Sequence, residues 1–148
     1  MTREDEYEIY AKRMEERFPK MYKGRYGGFA IGKGWWPLIE RLSETIQHHV
    51  DSKQKHGEEC PQVIVQQVKE KYGGLRFYIY GGNDYIRGMI DFAESMSFKI
   101  CECCGNPGTL SQKGWWRTMC DPCRVDDARK KAEWEENYKK SVKQVDEA

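Results

Sequence analysis

Residues 101–123 have the sequence CECCGNPGTLSQKGWWRTMCDPC, and the spacing of their cysteines decides the fold. Cys101 and Cys104 form one C-x-x-C pair, and Cys120 and Cys123 form a second pair after a spacer of fifteen residues. Two such pairs that close one loop supply the four thiolates of a tetrahedral structural zinc site. The spacing therefore predicts a four-cysteine zinc ribbon with zinc as its cofactor.

Other uses of these cysteines are weaker hypotheses. A disulfide pair is one, and a redox C-x-x-C is another, but the redox motif would leave the second pair unexplained. Four thiolates leave no open position for water, so the predicted zinc is structural and not catalytic. Cys60 and Cys103 are expected to be free thiols, although Cys103 could replace Cys104 as a ligand and Cys60 could join His49 or His56.

Composition limits the class of protein. A chain of 148 residues fits one domain of ordinary size, and a net charge of +1 argues against a protein that coats nucleic acid along its whole surface. No apolar run has the length of a membrane span, so no membrane partner is expected. Thiols in this spacing suit a reducing cytosol. The high aromatic content, 13%, indicates that some rings form a contact surface.

Capping residues and apolar spacing predict four helices. The first covers 2–18, with Thr2 and Asp5 resembling a capping box, and the second runs from Pro37 to Gly57. A third helix starts at Asn83 or Asp84, and the last runs from Asp121 toward Val145. The last helix balances basic and acidic residues, which favours a solvated helix over a basic nucleic-acid arm.

A β-hairpin is predicted between the second and third helices, with its turn at 72–74. On the return strand, Leu75, Phe77 and Ile79 point to one side, and the other side carries Arg76, Tyr78 and Tyr80. The predicted fold class is α+β: helices packed on a β-hairpin, with a four-cysteine zinc ribbon and a C-terminal helix. The expected units are a core at 1–99, the zinc ribbon at 100–124 and the charged helix at 125–148.

The loop at 20–36 is the leading candidate for a ligand site. It has five glycines, no acid, and cations interleaved with aromatic rings, a combination that suits a nucleotide-like ligand. We expect Arg76 or Tyr78 on the opposite wall of a cleft. The expected loop residues of the cleft are Lys23, Arg25, Lys33, Trp35 and Trp36. The alternative is that the two tryptophans pack under the second helix while the lysines are solvated.

Two further surfaces leave alternatives open. Arg76, Tyr78 and Tyr80 could stack a flat ligand, or a helix could cover their side of the hairpin. Trp115 and Trp116 could contact a partner from a zinc-stiffened hairpin, or they could pack onto the rest of the domain. The sequence lacks both H-E-x-x-H and G-x-S-x-G, and no carboxylate pair stands out, so we expect no enzyme.

Four segments together resemble a group of small uncharacterised proteins of tailed bacteriophages and prophages. The resemblance covers about 30–125 and is carried by GWWPLIERL at 34–42, KEKYGGLRFYIYGG at 69–82, MIDFAESMSFKICECCGNPG at 89–108 and GWWRTMCDPC at 114–123. It implies an early-expressed, non-virion protein in the cytoplasm of the host bacterium. It implies no settled chemistry.

The expected function is that of a non-catalytic phage-type binding protein. Its partner would be a host defence protein or a small nucleotide-like ligand, so that it counteracts a defence component or sequesters its nucleotide signal. The alternatives are a zinc-ribbon protein that binds nucleic acid, which the net charge disfavours, and a protein–protein adaptor. A homo-oligomer is also compatible with the sequence.

Overall fold

The computed structural model describes residues 1–24 and 26–147. Within these ranges the helices are α1 (Arg3–Arg17), α2 (Trp36–Lys55), α3 (Asp84–Ser97) and α4 (Asp121–Glu147), and a short 3-10 helix, Lys33–Trp35, precedes α2. The strands are β1 (Phe29–Ala30), β2 (Ile64–Lys71), β3 (Gly74–Tyr80), β4 (Thr109–Ser111) and β5 (Arg117–Met119). The predicted α+β class is confirmed.

Two helices begin for the reasons expected from sequence. The Thr2 hydroxyl accepts a hydrogen bond from the Asp5 backbone N–H (3.1 Å), and the Asp5 carboxylate accepts one from the Thr2 N–H (2.9 Å). This reciprocal pair is the predicted capping box at the start of α1. At the start of α3, the Asn83 side-chain oxygen accepts the Ile86 N–H at 3.0 Å. Both caps satisfy backbone donors that the first helical turn leaves unpaired.

The predicted hairpin is the larger part of a three-stranded sheet with the order β1-β2-β3. Strands β2 and β3 are antiparallel, and β1 runs parallel to β2 with Phe29 opposite Val68. The prediction of a loop over the whole of 20–36 is therefore wrong, because this stretch holds both β1 and the 3-10 helix. A strand of two residues is too short to show the alternation by which a strand is recognised.

Side-chain alternation along β3 follows the prediction. Leu75 and Phe77 are buried in the core, whereas Tyr78 and Tyr80 are exposed on the other side of the sheet. Helix α3 also covers the free edge of β3. The Ser97 hydroxyl accepts the Leu75 N–H at 2.9 Å, and the Glu94 carboxylate accepts the Phe77 N–H at 2.9 Å. These bonds occupy donors that an open edge strand would present to another chain.

Helix α4 differs from the others because none of its described side chains is buried. Exposed ion pairs run along it, including the one between Arg129 and Glu133 at 2.7 Å. Trp134 and Tyr138 stack on each other at the surface, with ring centroids 5.4 Å apart. Among the described residues, none of the helices combines the length and the apolar character required to cross a membrane.

Removal of the Phe77 ring tests the register of the sheet. Phe77→Ala is expected to lower the free energy of unfolding by about 3–5 kcal/mol, the usual cost of truncating a buried aromatic ring. Tyr80→Ala is the matched control, since Tyr80 lies on the same strand and is 65% exposed. Urea denaturation measures both variants. Equal destabilisation of the two would contradict the register, because a slip of one residue exchanges the two faces.

Candidate metal centre and basic–aromatic face

The two predicted cysteine pairs converge. The sulfur atoms of Cys101, Cys104, Cys120 and Cys123 all lie within 4.8 Å of one another. The Sγ atoms of Cys104 and Cys120 are 3.6 Å apart. Thiolates at about 2.3 Å from a tetrahedral zinc ion are separated by roughly 3.8 Å, so the cluster has dimensions that can hold one metal ion.

Local backbone structure brings the first pair into position. The Gly105 N–H donates to the Cys101 carbonyl at 2.9 Å, which closes a tight turn around the first two sulfurs. Gly105 adopts φ +84°, a conformation that a residue with a Cβ rarely tolerates. The Asn106 N–H points to the Cys104 sulfur at 3.5 Å. Backbone donors of this kind stabilise a negative charge on sulfur.

The electrostatics of the cluster favour ionisation at Cys101. Burial opposes ionisation, but hydrogen bonds from the backbone N–H groups of Cys120, Cys104 and Cys103 outweigh it and lower the pKa of the Cys101 thiol to about 6. The pKa of Cys123 is raised, chiefly by its hydrogen bond with the Cys120 side chain. The sulfurs therefore share protons that a metal ion would displace on binding.

The cysteine segment is fixed to the core through the 3-10 helix. The Gly34 N–H donates to the Glu102 carbonyl, and the Trp35 indole N–H donates to the Ile100 carbonyl, both at 2.8 Å. The Glu102 carboxylate accepts the Gly32 N–H at 2.9 Å. Contact at Gly34 is so close that a Cβ there would lie 2.1 Å from the Cys101 carbonyl oxygen. The four-sulfur cluster and the core are thus joined backbone to backbone.

The described residues among those predicted from the loop at 20–36 do not assemble into one cleft. Trp35 is fully buried, which corrects its expected position on a cleft wall: its ring packs in the core and its N–H is used internally. Trp36 is half-buried and stacks on Tyr10, with centroids 4.1 Å apart. Lys33 forms an ion pair with Glu6 at 3.0 Å.

The remaining loop predictions have different outcomes. Lys23 is exposed, and Arg25 lies outside the described residues. Lys33 and Tyr78 line separate depressions on the surface. Ligand binding by Lys23 stays a prediction.

The structure instead assembles a surface around the outer side of the hairpin, which we call the basic–aromatic face. Lys69 of β2 lies directly opposite Arg76 of β3 in the sheet register. Tyr78 and Tyr80 are exposed beside them, so among the described residues this part of the hairpin is open to solvent, whereas nearer the turn Phe98 at the end of α3 lies against Gly74. Arg76 and Tyr78 were predicted as ligand residues. The face consists of Lys69, Lys71, Tyr72, Arg76, Tyr78, Tyr80, Trp115 and Trp116.

Sequence reasoning missed the β2 half of this face. The signal was present, because Lys69 and Lys71 are two residues apart and so point to the same side of a strand. A β-bulge between Val65 and Gln67 shifts the alternation of β2 at its start. Counting every second residue from the apolar start of β2 therefore assigns the lysines to the wrong side of the strand.

The turns of the two hairpins meet at one end of the face. The rings of Tyr72 and Trp116 approach edge to face, with centroids 5.9 Å apart, and Trp115 is 80% exposed beside them. The Thr118 hydroxyl donates to the Gly73 carbonyl at 2.7 Å, which ties the β4–β5 hairpin to the β2–β3 turn. A depression of about 600 Å³ lies here, and it is lined by Lys69, Glu70, Lys71, Tyr72, Gly114, Trp115 and Trp116.

Comparison with known proteins finds no matching family model, no matching curated protein and no matching solved structure. The resemblance to phage proteins therefore depends on the sequence motifs alone.

Two cysteine variants test the candidate metal centre. Cys101→Ser is expected to lose the bound metal and to expose the segment 100–124 to protease, because a structural zinc site contributes roughly 10–16 kcal/mol of apparent binding energy. Cys103→Ser is the matched control, since Cys103 is exposed and stands outside the four-sulfur cluster. Elemental analysis and limited proteolysis measure both. Equal metal content in the two variants would contradict the assigned ligand set.

Two glycine variants test how closely the cysteine segment packs on the core. Gly34→Ala is expected to lower the free energy of unfolding by about 1–3 kcal/mol, the usual cost of overpacking, because its Cβ meets the Cys101 carbonyl. Gly88→Ala, on the exposed side of α3 with no other part of the fold within 4 Å of the added Cβ, should raise stability by about 0.5–1 kcal/mol. Thermal unfolding compares them. A neutral Gly34→Ala would show that the two backbones are not in close contact.

Proposed function

We propose that this chain is a non-catalytic binding protein that holds a structural zinc ion and binds a nucleotide-like ligand on its basic–aromatic face. One observation carries the proposal. Lys69 and Arg76 lie directly opposite each other on the exposed side of the hairpin, and exposed aromatic rings flank them.

Zinc is the metal that best suits the cluster. All four donors are cysteine sulfurs, and soft thiolate ligands in tetrahedral spacing favour zinc over the oxygen-seeking magnesium and calcium ions. With four protein ligands, the ion would have no open position for water and would supply no catalysis. Its role would be to hold the β4–β5 hairpin in place against the β2–β3 turn.

The charges of the face support an anionic ligand. Like charges directly across two strands destabilise a sheet, so Lys69 opposite Arg76 is a local cost to folding. Among the described residues, Lys69, Lys71 and Arg76 take part in no ion pair. Glu70 also lines the depression, and the hydrogen bond that its carboxylate accepts from the Gly73 N–H at 2.7 Å holds it at the turn. A phosphate group would relieve the repulsion and accept hydrogen bonds from these cations.

The rings of the face support an aromatic ligand. Tyr72, Tyr80 and Trp115 are each at least 65% exposed, although burial of such rings would stabilise the fold. The Lys71 ammonium lies 5.7 Å from the centre of the Tyr72 ring, so a cation and an aromatic ring are next to each other on the face. A nucleotide combines a flat base with a phosphate, and both parts of this surface would then have a partner.

The phage resemblance gives this binding protein a setting in the cytoplasm of a host bacterium. The target would be a host defence protein or, in better agreement with the face, its nucleotide signal. Expression of the chain in a bacterium with a nucleotide-signalling defence should then restore plaque formation by a sensitive phage. Restoration that is equally strong with Arg76→Ala would separate the counter-defence role from this face.

Removal of the Arg76 charge tests the ligand class. Arg76→Ala is expected to weaken the binding of ATP by about 1.5–3 kcal/mol, the value of a charge-assisted hydrogen bond. The melting temperature should hardly change, because Arg76 is only half-buried. Arg87→Ala on α3, which removes an exposed arginine away from the face, is the matched control. Isothermal titration calorimetry measures both, and the proposal fails if the wild-type chain binds no nucleotide or if Arg76→Ala binds as tightly.

A further inference from the structure

The basic–aromatic face is an extended surface, and its length carries information about the ligand. Tyr80 stands at one end of β3, and the turn with Tyr72 stands at the other. At roughly 3.3 Å per residue, β3 alone is about 20 Å long. The depression beside Trp115 continues the surface beyond the turn.

We propose that single-stranded nucleic acid lies along this face, from Tyr80 to the depression beside Trp115. The proposal rests on the proposed function, since it names the ligand class of the same surface. Bases would stack on the exposed rings, and phosphates would contact Lys69, Lys71 and Arg76. The combination of a cationic groove with stacking rings is the common design of proteins that bind single strands.

Rings stand at both ends of the face with the cations between them, so the face has room for more than one nucleotide. Tyr78 and Tyr80 are two residues apart on β3 and so point to the same side of the strand. The Lys69 ammonium lies 6.0 Å from the centre of the Tyr78 ring, and Lys71 has the same relation to Tyr72. Each ammonium lies over the face of its ring, so a base would stack there as the flexible lysine moves from the ring to the phosphate beside it.

The far end of the face is held by the metal centre. The strand β5 starts one residue after Trp116 and leads to Cys120, so the four-sulfur cluster fixes the position of both tryptophans. The bond from Thr118 to Gly73 fixes that hairpin to the turn that carries Tyr72. A surface that is ordered before binding loses less entropy when the ligand arrives.

Single strands fit this face better than duplexes do. In a duplex the bases are already stacked on one another, and their faces cannot meet Tyr78 or Tyr80. Stacking is tolerant of sequence because every base has a π-face, so weak sequence preference is expected. The face supplies only three cations, Lys69, Lys71 and Arg76, in a chain with a net charge of +1, so the electrostatic part of the affinity should be small.

Fluorescence anisotropy with labelled oligothymidylates tests this proposal on the zinc-loaded full chain. Affinity should rise with length from the dinucleotide to the dodecanucleotide, and a duplex of the same length should bind more weakly. With three phosphate contacts, the slope of log affinity against log salt should be about −2, since each contact on a single strand contributes about −0.7. Lys71→Gln should reduce this slope by about 0.7, whereas Lys139→Gln on α4 should leave it unchanged.

Aromatic variants complete the test. Tyr78→Ala and Trp115→Ala should each weaken binding of the dodecanucleotide roughly 5- to 150-fold, the range for loss of one stacked base. Trp134→Ala is the matched control, because Trp134 is a similarly exposed ring on α4. Equal affinity for the dinucleotide and the dodecanucleotide would overturn the polymer proposal and leave nucleotide binding intact. Equal affinity for duplex and single strand would also overturn it. So would unchanged affinity for the dodecanucleotide in both Tyr78→Ala and Trp115→Ala.

Discussion

The convergence of four cysteine sulfurs on one point is the constraint on which the rest of this structure depends. The segment between the two pairs contains only two short strands, β4 and β5, of three residues each. So small a hairpin is marginal in water without further support. A metal ion held by the four sulfurs would supply that support, and the contacts of Gly34 and Trp35 with the cysteine segment would transmit it to the core.

This constraint gives a position to residues that would otherwise lie on a mobile turn. Trp115 and Trp116 sit between β4 and β5, and the bond from Thr118 to Gly73 places them beside Tyr72. The repulsion between Lys69 and Arg76 is a cost that the sheet carries on its exposed side. Such costs are retained at functional sites when the surrounding structure is rigid enough to hold them. In the proposed function, a metal ion held by the four sulfurs would supply that rigidity to the face.

Several features could be predicted from sequence because each depends on local chemistry. The cysteine spacing predicted the sulfur cluster, and the alternation along β3 predicted which side of the sheet Phe77 faces. Strand β1 could not be predicted, because two residues show no periodicity and its parallel pairing with β2 is long-range. The burial of Trp35 and the exposure of Trp115 also depend on long-range packing, because both are the third residue of the same Lys-Gly-Trp-Trp sequence. Identical local sequences therefore gave opposite environments.

The most direct test of the account is the absorption spectrum of the metal-free chain during titration with cobalt(II), which replaces zinc in tetrathiolate sites. The account predicts intense thiolate-to-cobalt absorption and the ligand-field bands of a tetrahedral ion, both of which saturate at one ion per chain. Weak octahedral bands, or absorption that never saturates, would show that the four sulfurs do not close on one ion. In that case the cluster could not be what holds the β4–β5 hairpin in place.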